Sequence, residues 1–351
     1  MAKHRSVEDF DPRKYPDYRE NMPPDVYRLR EFSYLDEYET IWGRRWGAQG
    51  IGTLREVGLV APTAHEGNPL WAKDPNFFLL RYRSQPDIEL LIQNHKEWAA
   101  LLEEQGVKIH WMEFEDVWGA YGPMRKLCVC EEVKFLPGGA LIPRFGHASY
   151  KRGLEREFQK FVTRIGCPIL HTVHGDGVME VGPMLVGLSD DVWVAGVSCA
   201  ANREGIDQIL PVLHASGIKE VHVMQLPTIH ETFAAGGEFH VDMVITPLDH
   251  KKVLVYPKNL PWETYCWLRD LGFEIIEIPE EDQVYAPANI IVLEPGKVIL
   301  PKRATATIKK VEAAGVEVVQ FDSDGIMQGG VNAMKCITME ILRDPGPCVF
   351  E

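Results

Sequence analysis

Along most of the chain, short alternating apolar runs give way to stretches with helical spacing, and the two periods predict where strands and helices fall. Residues 54–61 form the first strand-like run. Residues 88–105 then place Leu90, Leu91, His95, Trp98, Leu101 and Leu102 at helical spacing before Gly106 closes the helix. Residues 107–111 return to a strand pattern. The same grammar predicts strands over 127–135 and 140–142 about Gly138 and Gly139, and a helix over 154–163. It predicts a hairpin of 178–186 with 192–197 across Ser189, Asp190 and Asp191, then a helix from Asn202. Further strands are predicted over 221–226, 241–246, 252–256, 273–278 and 316–321, with helices over 262–271 and 304–314. Residues 289–293 are expected to pair with 298–300 over Glu294, Pro295 and Gly296.

Strand pairs and single helices therefore recur at intervals of roughly 40 to 60 residues. A doubly wound sheet would show mostly single strands between helices, so the pattern points to an α/β protein built from several similar mixed-sheet modules. Residues 1–50 depart from it: Pro12, Pro16, Pro23 and Pro24 interrupt any helical period. They predict an irregular N-terminal extension ahead of a single domain over residues 51–351. Gly175, Asp176 and Gly177 are too short and wrongly placed for a phosphate-binding loop, so no nucleotide cofactor is expected.

Composition narrows the class. A hydrophobic share of 45% and a charged share of 25% match ordinary globular proteins. Lys plus Arg number 37 against 51 Asp plus Glu, and the resulting charge of −14 disfavours a nucleic-acid partner. The seven cysteines, at 128, 130, 167, 199, 266, 336 and 348, are odd in number and uneven in spacing, which suits a reducing compartment. With no apolar leader and no long apolar run, the chain reads as cytoplasmic, soluble and not membrane-bound.

One constellation carries chemistry. Cys336 follows Gly329 and Gly330, and glycines let a backbone approach a ligand closely, so the thiol can be presented to a bound molecule. Strand alternation over 239–245 would put His240 and Asp242 on one face, supplying a base beside the nucleophile. A His-x-Asp pair can equally supply two metal ligands, with His174 or Asp176 as a third, and a buried cysteine is often only a small hydrophobe.

The ordered set Met179-Glu180-Val181-Gly182, Val197-Ser198 with Asn202-Arg203-Glu204-Gly205, His240-Val241-Asp242 through Asp249, and Gly329-Gly330 with Cys336-Ile337-Thr338 resembles the guanidino-group-modifying superfamily. That superfamily includes arginine deiminase, dimethylarginine dimethylaminohydrolase, agmatine deiminase and glycine amidinotransferase. Residues 139–155, with Arg144 and Arg152, add a fifth similar stretch. The resemblance implies a five-module, pseudo-symmetric α/β propeller of the pentein type with its site in the central channel. It implies Cys336 as nucleophile, His240 as general acid and base, Glu180 as the residue that orients His240, and Asp242 as one of two carboxylates on a guanidinium. The second carboxylate falls nine residues before Ala140 (140 − 9 = 131), at Glu131, with Glu132 as the alternative.

The implied chemistry needs these residue types: carboxylates hold a flat cation in plane, and a thiolate attacks its carbon. Two departures matter. Where arginine-acting members carry an arginine for the substrate's carboxylate, this chain has Ala200, a loss of about 1.5 to 3 kcal/mol of charge-assisted binding. Free arginine is thus disfavoured, and Arg144 and Arg203 remain as anion partners. Glu131 in place of aspartate lengthens the reach by one methylene. The expectation is a hydrolase of a guanidino or amidino compound acting through an amidino-thioester, without metal. Transfer of the amidino group to an amine is the alternative. A non-catalytic binding module on this fold would lack Cys336, His240 and the carboxylates. The partners expected are a small cationic substrate and further copies of the chain.

Overall fold

The structure is a computed structural model, and it describes residues 11, 13, 18–23, 45–61, 86–113, 132–146, 151, 153–227, 240–328 and 333–350. Within them the predicted alternation becomes one repeated unit: an antiparallel hairpin, a helix, and a strand returning parallel to the hairpin's second strand. The chain opens with β1 (Leu54–Val60), α1 (Ile88–Glu104) and β2 (Lys108–Met112). The second unit is β3 (Lys134–Leu136), β4 (Gly139–Ile142), α2 (Leu154–Arg164) and β5 (Ile169–Thr172). The third is β6 (Leu185–Gly187), β7 (Val192–Val197), α3 (Arg203–Ala215) and β8 (Glu220–Gln225). The fourth is β9 (Ile245–Asp249), β10 (Lys252–Val255), α4 (Trp262–Asp270) and β11 (Glu274–Glu277). The fifth is β12 (Ile291–Glu294), β13 (Lys297–Pro301), α5 (Thr305–Ala313) and β14 (Glu317–Phe321).

The first group lacks a hairpin partner, and β15 (Met339–Arg343) supplies it from the far end of the chain. It runs antiparallel to β1, while β2 lies parallel on β1's other side. Five three-stranded sheets of one design result. In each, the strand after the helix is the most exposed and the central strand is largely buried, as β7 against β8 and β4 against β5 show. That is the apolar run expected of a strand covered on both faces beside a half-covered edge.

Sheets that follow one another in the chain touch. β15 meets β3, α3 meets β5, β6 meets β9, β9 meets β12, and β12 returns to β1. Of residues 178–184, expected inside a strand, Met179 makes only isolated antiparallel bridges to Arg144 and Ala201 and residues 181–184 form a turn, because Pro183 offers no N–H to a ladder and β6 starts only at Leu185. β5 and β15 were not singled out by the apolar pattern. Most of residues 1–44 and all of residues 127–131 lie outside the described residues. Residues 46–51 run irregularly into β1 and pack inward, with Trp46 and Ile51 buried. No helix among the described residues is long and apolar enough to cross a membrane.

Local signals set the helix ends. Asp87 caps α1 by accepting from Leu90 N at 3.0 Å, and Gly106 at φ +80 ends it. Asn202 caps α3 through Gly205 N at 2.9 Å and also accepts from Val178 N at 2.8 Å, so one side chain binds the helix to the segment that leads into Glu180.

Arg343 anchors β15. It is 1% exposed and donates to the carbonyls of Gly52 and Val292, both at 2.8 Å, and to Glu340 at 2.9 Å. It thereby joins the chain's end to the entry of β1 and to β12. Gly52 permits the approach, since a Cβ there would lie 1.9 Å from the Asp344 carbonyl oxygen. Burial alone would raise the Glu340 carboxyl, but the Arg343 guanidinium outweighs it and holds the group at about 2. A folded value below the ordinary 4.5 means that this stabilisation is complete near neutrality and fades as pH falls from about 4.5 toward 2. Arg343→Met is expected to cost about 3 to 5 kcal/mol in urea unfolding at neutral pH, because it takes the donor from a half-buried carboxylate and from the Gly52 and Val292 carbonyls together. The variant should also lose less stability than the parent between pH 5 and pH 2.5, read as the difference between two denaturation series.

Candidate active site

Six of the residues that build the site arrive on segments entering the first strand of a hairpin. Glu132 precedes β3, Glu180 precedes β6, His240 and Asp242 precede β9, Asn289 precedes β12, and Cys336 precedes β15. The modules thus contribute equivalent positions, one loop each.

His240 and Asp242 do not sit on one strand face. They flank and occupy a 3-10 turn, Val241–Met243, closed by Val244 N donating to Val241 O at 2.9 Å, and the strand starts only at Ile245. Both are buried all the same, at 8% and 0% exposure. The tight turn sends the two side chains to different partners. His240 Nε2 lies 3.1 Å from Glu180 Oε2. Asp242 Oδ2 accepts from Asn289 Nδ2 at 2.7 Å, and Asn289 Oδ1 accepts from Cys336 N at 3.1 Å with the Cys336 thiol at 3.4 Å. Asn289, which is fully buried, therefore carries the link between the cysteine and the carboxylate.

Glu180 is held from several sides. Its N–H donates to Ala200 O at 3.0 Å, and Asp242 N donates to Pro183 O at 3.3 Å, which fastens the Glu180 turn to the His240 turn. Ala200, at the position of the missing arginine, is fully buried. Arg144 exchanges backbone hydrogen bonds with Met179 at 3.1 and 2.9 Å, so its main chain braces the segment next to Glu180, and its side chain is half-buried. Glu131 lies outside the described residues, as do Gly329, Gly330 and Phe239.

Two functional-site residues were not read from the sequence. Lys151 donates to Glu132 Oε1 at 2.5 Å and to the same Glu180 oxygen that His240 approaches. Asn289 had passed as the start of a strand. Lys151 lies in the 139–155 stretch without any spacing that ties it to Glu180. Asn289 could have been found from its module-equivalent position ahead of β12.

Electrostatics follow from burial. Desolvation would raise the Glu180 carboxyl, yet the Lys151 ammonium and His240 overcome it and hold Glu180 well below the usual range. Desolvation, with the Glu180 charge nearby, pushes Glu132 up despite Lys151. One buried ammonium between two buried carboxylates thus leaves Glu180 charged and Glu132 the readier of the two to keep a proton. Glu132 Oε2, Glu180 Oε1 and Asp242 Oδ1 have no hydrogen-bond partner among the described residues. His174 and Asp176, the third ligands a metal reading requires, engage Gln208 and Asn202 through their backbones. Among the described residues no three His, Cys, Asp or Glu side chains gather to hold a metal.

The chain is similar to several known proteins. The arginine deiminase family model matches residues 264–343. The chain is 31% identical over 358 aligned residues to 2-nitroimidazole nitrohydrolase of Mycobacterium sp. strain JS330, covering 96% of this chain and 93% of that one. In fold it is similar to dimethylarginine dimethylaminohydrolase from Pseudomonas aeruginosa, solved with citrulline, at 20% identity and a TM-score of 0.63 over 83% of this chain and all (100%) of that one. It is similar too to an amidinotransferase of saxitoxin biosynthesis from Microseira wollei, at 14% identity and a TM-score of 0.63, covering 87% and 99% of the two chains.

Asn289→Leu removes one donor and one acceptor at once. It leaves Asp242 Oδ2 and the Cys336 N–H buried without that partner, at about 1 to 3 kcal/mol for each. The expected result is a clear drop in urea-unfolding midpoint without change of m-value. A variant within about 0.5 kcal/mol of the parent would show that Asn289 does not hold the two groups.

Proposed function

Since this chain belongs to the guanidino-group-modifying superfamily, we propose that it is a cysteine-dependent hydrolase of guanidino or amidino compounds, with Cys336 as nucleophile. The observation that carries the reading is the turn at 240–242. Through it one short segment delivers an imidazole to a buried glutamate and a carboxylate to the amide that contacts the cysteine.

The steps follow from the side chains. Asp242 Oδ1 accepts an N–H of the substrate, with Glu131 or Glu132 as the second carboxylate, and the planar carbon is held against the sulfur. The Cys336 thiolate attacks that carbon and a tetrahedral adduct forms. His240, kept in orientation by Glu180, protonates the departing nitrogen as the C–N bond breaks. The same imidazole then takes a proton from water, which attacks the amidino-thioester, and the C–S bond breaks to restore the thiolate. Arg144 remains the candidate contact for an anionic part of the substrate. The succession of sheet contacts, returning from β12 to β1, supports a closed five-module propeller around this site.

Water as acceptor is favoured by the nitrohydrolase relative, whose name is that of a hydrolase. Transfer to an amine is the rival, and product formed only when glycine or another amine is added would establish it. Cys336→Ala is expected to abolish turnover and to prevent labelling by chloroacetamidine at residue 336, read by peptide mass mapping. His240→Ala should lower kcat by about 10²- to 10⁴-fold. Asp242→Asn should raise KM about tenfold or more with a smaller effect on kcat. Full activity in Cys336→Ala would end the proposal.

A further inference from the structure

Asn289 holds the Cys336 N–H at 3.1 Å, and a second residue holds the turn that carries the thiol. Residues 334–337 form that turn, and β15 begins at Met339. Thr338 is the joint between them, at 1% exposure. Its hydroxyl donates to Met334 O and its N–H to Lys335 O, both at 2.8 Å, so one residue closes the turn with side chain and backbone together. Cys336 lies inside the loop that these two bonds close.

A third bond ties this joint to a helix far away in sequence. Trp98 of α1, fully buried, donates its indole N–H to Thr338 Oγ1 at 2.9 Å. An indole nitrogen only donates, so the hydroxyl oxygen accepts there and its single proton is committed to Met334 O. The hydroxyl therefore has one orientation. Trp98 is itself fixed: its ring centre lies 5.1 Å from that of Phe321, and it belongs to the same apolar cluster as Met334 and Ile337. The turn is thus held at two points, Thr338 against α1 and the Cys336 N–H against Asn289. Packing alone asks for no hydroxyl here, because a valine fills nearly the same space without a polar atom to bury.

Resting on the hydrolase reading, we propose that Thr338 is a positioning residue for the nucleophile. Its hydroxyl, set by Trp98, fixes the pitch of the turn and so aims the Cys336 sulfur at the carbon it attacks. Thr338 acts through the backbone and takes no part in the bonds that change. Attack on a held substrate depends steeply on aim, and a displacement of about 1 Å costs on the order of 100-fold in rate. The substrate's cationic group is assigned to Asp242, which lies on a different loop. Loss of the hydroxyl therefore slows attack and leaves affinity in place.

Chloroacetamidine separates these two quantities, since carboxylates hold its amidinium and sulfur breaks its carbon–chlorine bond. The thiolate forms a thioether to the methylene carbon as chloride leaves with the electron pair. For the full-length protein, the saturation curve yields an inactivation rate constant and a half-saturating concentration, and peptide mass mapping places the label. Thr338→Val is expected to lower the rate constant at least tenfold and to change the half-saturating concentration less than threefold. Thr338→Ser, which returns the hydroxyl, should restore the rate constant to within threefold of the parent. Trp98→Phe, which removes the donor and keeps a ring, should lower it at least threefold at an unchanged half-saturating concentration. A folded Thr338→Val protein with the parent's rate constant overturns the inference, as does an effect confined to the half-saturating concentration. If Thr338→Val does not fold, a parent-like rate in Trp98→Phe or a tenfold loss in Thr338→Ser overturns it equally. The two readings fail separately: a parent labelled at Cys336 whose Thr338→Val variant is labelled just as fast keeps the hydrolase and removes the role of Thr338, whereas a parent that chloroacetamidine does not label at Cys336 removes the hydrolase reading itself.

Discussion

The pairing of β15 with β1 is the constraint on which the rest of the molecule depends. Four modules are contiguous in sequence, but the first is completed only when the chain's last strand comes back to it. Joining strands so far apart in sequence costs conformational entropy, which local contacts cannot offset. The buried Arg343, hydrogen-bonded to Gly52, Val292 and Glu340, supplies directional bonds at that join. Cys336 stands just ahead of β15, so the contact that completes the first sheet also sets the position of the proposed nucleophile.

The loops that enter the hairpins share a second consequence. A residue ahead of β3, β6, β9, β12 or β15 lies at the same place in its module, and the site draws Glu132, Glu180, His240 with Asp242, Asn289 and Cys336 from those five places. Such a site is assembled from rigid elements, since each loop is pinned by the strand it precedes. The turn at 240–242 concentrates this: backbone hydrogen bonds to Pro183 and within the turn fix its direction, and Glu180 and Asn289 are reached from residues two apart.

Burial of several ionisable groups in one place would be costly if each stood alone. Here Lys151 lies between Glu132 and Glu180, His240 shares an oxygen of Glu180, and Asn289 connects Asp242 with Cys336.

The sequence alone determined the modular α/β grammar, the placement of the five helices, and the residues Cys336, His240 and Asp242 as chemically interesting, because periodicity and short motifs are local properties of the chain. Glu180 came from the resemblance to a known superfamily. It misread 240–242 as a strand and 180–184 as part of one: apolar content there matches a strand, but backbone bonds to Pro183 and within the turn shape 240–244, and Pro183 has no N–H to give a ladder. Only the tertiary structure brought Lys151 to Glu180, Asn289 to both Asp242 and Cys336, and β15 to β1. Those contacts span 29, 47 and, for β15 and β1, most of the chain in sequence, and no periodic signal reaches so far. They form because buried charges and unpaired strand edges must find partners wherever the fold delivers them.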